Sequence, residues 1–315
     1  MSKKNLILGG ILVFLALSAY VIDGPFKKWK ESVSQEKNFF SELKVGEIDK
    51  IELSKANVNY VFVKEVKNDA EKWRIDGTKG FYLSDDIKNG IIDALNESKA
   101  ASLDVASENI DKKLEFQVDE NSGTKIVLKK GDESLLSLII GKNTSDFSGT
   151  YLSKLDNDKT YVIKTVALGS VFSRDDWYDK AMFASEADKI DSIRFQYPTR
   201  EFTVEKKKKD GQEESEWVGT LPYAFRVDQK KILDIVELMT SLVAEKIPEQ
   251  KFENTGLEKH SIIVQAKGGG LDNTLMIGAD NGEGLYYAKK GDSDNIYLIK
   301  KEQKNMLDKK LWELR

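Results

Sequence analysis

Ile48-Asp49-Lys50-Ile51-Glu52-Leu53 opens a unit that the chain writes a second time as Ile190-Asp191-Ser192-Ile193-Arg194-Phe195. In each, isoleucines three apart flank an Asp-x pair, and apolar residues then alternate with polar ones, as in a strand with one buried face. The echo continues outward. Trp73 and Trp217 precede a helical stretch in each copy, Leu138-Ile139-Ile140-Gly141 answers Leu275-Met276-Ile277-Gly278, and Thr160-Tyr161-Val162-Ile163 answers Ile296-Tyr297-Leu298-Ile299. The offset runs from about 142 (Ile48 to Ile190), through 144 at the first tryptophans, to 135 (Trp177 to Trp312). A period so far above that of a solenoid makes each copy a domain rather than a stacking element. No reactive constellation is repeated inside the duplication, so the pattern points to binding or assembly.

Within each copy the order is strands, helix, strands. Tyr60-Val61-Phe62-Val63 and Trp73-Arg74-Ile75 flank a polar turn, as do Phe202-Thr203-Val204 and Trp217-Val218, whose turn carries Lys206 to Lys209 against Glu213, Glu214 and Glu216 as a solvated tip. Ser84-Asp85-Asp86 caps an apolar stripe of Ile87, Ile91, Ile92 and Leu95; Asp228 caps Ile232, Ile235, Val236, Leu238, Met239 and Leu242. Three or four short strands with Gly/Asp/Asn turns follow, at Lys125 to Ile163 and Ser261 to Ile299. Short helices, Ala167 to Trp177 and Gln303 to Trp312, close the copies. Without a βαβ rhythm, the expected fold is α+β: two tandem mixed units with antiparallel sheets.

Composition sets the surroundings. The 315 residues are 40% hydrophobic and 32% charged, enough for two ordinary cores. Lys3 and Lys4 precede Asn5 to Ile22, eighteen residues without a charge, which as a helix would span roughly 27 Å, close to a bilayer core. The run reads as an uncleaved signal anchor; a signal peptide cut after Ala16-x-Ser18, or a buried helix, are the alternatives. Beyond it the chain is net acidic, which disfavours nucleic acid as a partner. Cysteine is absent, so disulfides, thiolate metal sites and cysteine nucleophiles are excluded. The expected layout is a cytoplasmic tip (1–4), a transmembrane anchor (5–22), a juxtamembrane stalk (23–44) and α+β domains over 45–183 and 184–315. The domains are expected outside the cytoplasm, on the periplasmic side of the membrane. The stalk, with Phe26, Trp29, Val33, Phe39, Phe40 and Leu43 among lysines and glutamates, reads equally as an interfacial helix or as a segment packed on the first domain.

A search for chemistry yields no catalytic, cofactor-binding or metal-binding residue. The single histidine, His260, has neither a second histidine nor a cysteine to complete a zinc site, and copy one has Gly123-Thr124 near the equivalent place. Asp175-Asp176, Asp292-Ser293-Asp294-Asn295 and Asp280-Asn281-Gly282-Glu283-Gly284 lack the alternating ligand frame of a calcium loop and read as turn chemistry. Gly268-Gly269-Gly270 lacks the Lys-Ser/Thr and following helix of a phosphate loop. Trp217, Tyr223, Tyr286 and Tyr287 alternate as core aromatics do.

The Ile-Asp-x-Ile opening, the tryptophan, the Asp-capped helix, Phe252 to Leu257 with its Gly-Leu ending, the strand ending in Ile-Gly, the Gly-to-Tyr-Tyr strand and the closing Leu307-Asp308-Lys309-Lys310-Leu311 together resemble the bacterial domain-of-unknown-function 4340 family. The resemblance covers about 45–315 and is stronger in copy two. Copy one has Phe116-Gln117-Val118 where Gly-Leu is expected, and Asp175-Asp176-Trp177 blurs the closing motif. It implies membrane-anchored proteins linked with ABC-type transport systems of the gliding-motility-associated kind, and supplies no catalytic residues. The functional expectation is a non-catalytic, membrane-tethered scaffold or accessory protein with protein partners, among them ABC permease and ATPase subunits. An envelope glycan- or solute-binding module is the alternative, and an envelope hydrolase using paired carboxylates the third reading.

Overall fold

The computed structural model describes residues 37–315 apart from 57, 68, 209–214 and 259–260. The chain divides after Trp177 into two compact units. In the first, β1 (Lys50–Lys55), β2 (Val58–Lys67) and β3 (Ala70–Ile75) form a meander, followed by α1 (Asp85–Ala100), β4 (Leu103–Ser107) and the single turn α2 (Lys113–Phe116). A second meander, β5 (Thr124–Lys130), β6 (Glu133–Asn143), β7 (Thr150–Lys154) and β8 (Thr160–Ile163), leads to α3 (Ala167–Phe172). All eight strands join one antiparallel sheet in the order β3-β2-β1-β5-β6-β7-β8-β4.

The second unit repeats this order. Its strands β9 (Ser192–Gln196), β10 (Glu201–Lys208), β11 (Ser215–Leu221) and β12 (Phe225–Arg226) precede α4 (Gln229–Ser241). Then come β13 (Ile262–Gly268), β14 (Leu271–Asp280), β15 (Leu285–Lys290), β16 (Ile296–Lys300) and α5 (Lys301–Leu307). The sheet order is β12-β11-β10-β9-β13-β14-β15-β16. The edges differ only in degree. Where unit 2 has β12, unit 1 keeps one bridge, Arg74 to Tyr82; where unit 1 has β4, unit 2 keeps one bridge, Lys246 to Leu298. Pro248, two residues past that bridge, lacks the N–H needed to extend it.

The Ile-Asp-x-Ile motif starts each sheet. Ile48 and Ile51, like Ile190 and Ile193, are buried. The aspartate between them extends the central ladder: Asp49 N–H donates to Lys129 O and Asp49 O accepts from Lys64 N–H, while Asp191 makes the matching pair with Lys267 and Lys206. Each helix starts at the expected cap, Ser84 Oγ accepting from Ile87 N–H and Asp228 from Lys230 and Lys231 N–H. Such caps contribute about 1 kcal/mol each. The helix lies on the inner sheet face, with Ile91, Ala94 and Leu95 of α1, and Ile232, Ile235, Val236 and Met239 of α4, buried there. The return from edge to centre crosses the opposite face. In unit 1, Phe116 packs on Tyr151 in a tilted pair with ring centres 4.4 Å apart, and Val118 is fully buried. This return covers part of the outer face over β5–β8 and leaves β3-β2-β1 open.

Three expectations need correction. The first domain begins before residue 45, because the end of the expected stalk packs on it. Phe40 and Leu43 are buried, and the Asn38 amide donates to Ser98 O (2.7 Å) and Ala101 O (2.8 Å) at the exposed carbonyl end of α1. The boundary falls after Trp177, not after Phe183, because Met182, Phe183 and Ser185 N–H groups donate to Leu242 and Thr240 carbonyls of the second unit. The closing helices stop at Phe172 and Leu307, and their tryptophans are not equivalent. Trp177 is buried against Phe62 (5.2 Å), whereas Trp312 is 66% exposed and Leu314 fills the core instead. Among the described residues no helix is long and apolar enough to cross a membrane. The tip 1–4, the run 5–22, stalk residues 23–36, the hairpin tip 209–214 and His260 lie outside the described residues.

Candidate functional site

Most of the sequence candidates turn inward on their own loops. Asp280 accepts from Gly282 N–H (2.6 Å), and Asn281 Oδ1 from Glu283 and Leu285 N–H. Asp294 pairs with Lys289 (3.1 Å), and Ser293 Oγ accepts from Asn295 N–H. Gly268 lies flat against Lys189 O and the Asp191 N–H, too close for any side chain. Among the described residues, no three His, Cys, Asp or Glu side chains gather as a metal site. Trp217 is core, its backbone N–H and O both clasped by the Gln229 amide (2.8 Å each). Tyr286 and Tyr287 are half-buried, and Tyr223 is exposed beside Arg315.

Asp175 behaves differently, because it takes part in a cleft. The tip of β1–β2 and the chain after α3 border a cleft of about 170 Å³, lined by Leu53, Lys55, Ala56, Val58, Tyr60, Arg174, Asp175 and Trp177. Lys55 Nζ donates to Ser173 O and to Asp175 Oδ1, both at 2.7 Å. Arg174 Nε donates to Val171 O (3.2 Å), and its guanidinium lies 5.5 Å from the Trp177 ring centre. The walls are apolar and the mouth carries two cations and one carboxylate. The sequence offered Asp175 only as part of an acid pair; Lys55, Arg174 and Tyr60 were missed, since they meet only through contacts spanning more than a hundred residues.

The same corner of unit 2 is built from other residues. Leu53 pairs with Tyr60 across β1–β2, as Phe195 pairs with Phe202 across β9–β10, so Tyr197 stands where Lys55 does. Tyr197 OH donates to Lys309 O (2.5 Å) and accepts from Lys309 N–H (2.8 Å), just past α5, as Lys55 reaches Ser173 just past α3. Its ring is sandwiched between Phe202 (6.1 Å) and the Arg200 guanidinium (3.8 Å). Burial, reinforced by Asp308, pushes its hydroxyl up to about 12. A rigid ring closes in unit 2 what a lysine stem leaves open in unit 1.

A second concavity lies on the uncovered outer half of sheet 1, lined by Glu52, Ser54, Asn59, Val61, Lys125 and Val127 with backbone of Leu53 and Tyr60. Lys129 donates to Glu52 (2.7 Å), and this bond, joined by Lys50, holds the Glu52 carboxyl below the usual range. Strand alternation puts Lys50, Lys125, Lys129, Lys72 and Arg74 on this face with Glu52 and Glu65, so cations predominate. A third, smaller pit under Trp73, Ile91 and Leu95 admits about 10 Å³, a single water's room, between apolar walls.

Fold and sites thus define a tandem α+β protein with one eight-stranded antiparallel sheet in each unit. The chain belongs to the family described as "Domain of unknown function (DUF4340)", whose model matches residues 73–216 and 217–315. Both matches start at the equivalent tryptophans, Trp73 and Trp217, so the family unit begins at the third strand of each sheet. No curated protein and no solved structure matches the chain. The structure gives the family signature a cause. Phe252 to Leu257 and the Ile-Gly strand end are two halves of one contact: Thr255 O sits where a Cβ on Gly278 would be, 2.1 Å away, and accepts from Ala279 N–H. Copy one makes the same contact from Phe116 O to Gly141, with Gln117 adopting the left-handed backbone that Gly256 supplies in copy two.

Proposed function

We propose that this protein is a membrane-tethered, non-catalytic accessory scaffold, displayed outside the cytoplasm, that holds subunits of an ABC-type membrane complex on the open halves of its sheets. The observation that carries the reading is the eighteen-residue uncharged run at 5–22. Fifteen residues separate it from a segment pinned onto unit 1 by Asn38, Phe40 and Leu43. Such an arrangement suits a tether that delivers force and position to a folded body. The cation-rich open half of sheet 1 supports protein docking, since an antiparallel sheet that leaves one face uncovered offers broad polar surface. The acid clusters that bond within their own turns support binding over hydrolysis. The ABC partner comes from the family resemblance.

The test is crosslinking in intact cells followed by affinity isolation from membranes and mass spectrometric identification. Reproducible recovery of a permease or ATPase subunit, lost when Lys50, Lys125 and Lys129 are changed together to glutamate, supports the reading. Isolation of the chain alone under gentle detergent overturns it. A second reading, capture of a small solute, is favoured by the cleft at Lys55 and Trp177.

A further inference from the structure

We propose that the cleft at the tip of β1–β2 is a binding site for a small aromatic carboxylate. The duplication itself supplies the template. In unit 2 the corresponding corner holds a phenol ring, Tyr197, stacked on Phe202 and bonded through its oxygen to the backbone after α5. In unit 1 the wall that receives that ring is kept, with Tyr60 at the place of Phe202 and Leu53 at the place of Phe195. Trp177, buried against Phe62 and Phe172, backs the cleft with its ring centre 6.4 Å from that of Tyr60. What changes is the residue at the strand end: Lys55 leaves a cleft of about 170 Å³ and brings an ammonium group instead of a ring. A pocket of mainly apolar walls with few placed polar groups is the usual form of a small-molecule site.

The charge at the mouth selects the head group. Lys55 has three donors, of which Ser173 O and Asp175 use two. Arg174 directs one of its five donors to Val171 O and holds its plane near Trp177. A carboxylate on the incoming ring takes the position of Asp175, whose side chain is 89% exposed and can swing into solvent, and bonds to Lys55 and Arg174. Asp175 is then a built-in competitor that a ligand displaces. The site rests on unit 1 alone and is independent of the tether reading.

The experiment is calorimetric titration of the full-length chain with 3-phenylpropionate, 3-phenylpropanamide and the tripeptide Ala-Ala-Phe with a free carboxylate. Saturable one-to-one binding of an acid is expected, with the amide weaker by about tenfold or more for want of charge-assisted bonds. Tighter binding of 3-phenylpropionate assigns the head group to a free acid, and tighter binding of the tripeptide to a peptide terminus. Lys55→Tyr, which installs the side chain unit 2 already accommodates, abolishes binding while preserving the folded state. Arg174→Gln weakens binding, and Asp175→Asn strengthens it several-fold. No saturable binding of either acid, or binding that survives Lys55→Tyr undiminished, overturns the assignment.

Discussion

Gly278→Ala tests whether the two copies are held by the same contact. The added Cβ falls 2.1 Å from Thr255 O, shorter than real Cβ contacts, and 3.1 Å from the Gly256 carbonyl carbon, tighter than most, and both neighbours are backbone. The turn must therefore withdraw by about 1 Å, stretching the 2.7 Å bond from Ala279 N–H to Thr255 O and loosening buried Leu257. Overpacking of this kind and one weakened buried hydrogen bond together cost about 2–4 kcal/mol. For a unit of this size that lowers its Tm by about 6–20 °C. Gly141→Ala meets Phe116 O at 2.3 Å and Val118 Cγ1 at 2.7 Å, so the first unit should lose a similar amount. Gly46→Ala is the control, with nothing within 4 Å and no left-handed backbone, and should change stability by less than about 0.5 kcal/mol. Differential scanning calorimetry, with hydrogen exchange to assign each transition to its unit, reads the outcome. If either core glycine tolerates alanine as well as Gly46 does, the crossing turn does not press on the strand and the reasoning fails.

Asn38→Ala removes the amide's bonds to the Ser98, Lys99 and Ala101 carbonyls and should raise hydrogen exchange at Leu43, costing about 1–3 kcal/mol locally; unchanged protection there would mean the segment is held by Phe40 and Leu43 alone. Asp228→Ala deprives the Lys230 and Lys231 N–H groups of their acceptor, so the first turn of α4 should fray and unit 2 should lose about 1 kcal/mol in urea unfolding. Tyr197 keeps its proton in the folded state to about pH 12, whereas the unfolded hydroxyl ionises near pH 10. Folded protein then binds the proton more tightly, so this contribution is complete below pH 10 and is lost as pH rises through 12. Spectrophotometric titration should show a tyrosine with a midpoint near 12 that Tyr197→Phe removes.

The repeated sheet was legible because the signals are local: isoleucines framing an aspartate, a capped stripe, and glycines where strands end. Gly141 and Gly278 announced themselves without showing why, since the atoms that exclude a side chain belong to turns more than twenty residues upstream. β4 escaped notice because five residues, Leu103 to Ser107, carry too short an alternation, and they join the sheet at its far edge rather than beside their neighbours in sequence. Trp177 and Trp312 matched by offset but not by burial, because the following Leu314 replaced the second tryptophan in the core. The cleft was invisible for a related reason. Its distinguishing residue, Lys55, is an ordinary exposed-looking lysine until its register is set against Tyr197 and its partner 118 positions away is known.

The most direct measurement is alkaline carbonate extraction of membranes from cells producing the full-length chain, beside a variant lacking 5–22. The intact chain, with residues 1–36 still present by mass spectrometry, is expected to stay in the pellet after carbonate washing, and the shortened chain to be released as a folded soluble protein. Recovery of the intact, unprocessed chain in the supernatant would contradict the membrane tether.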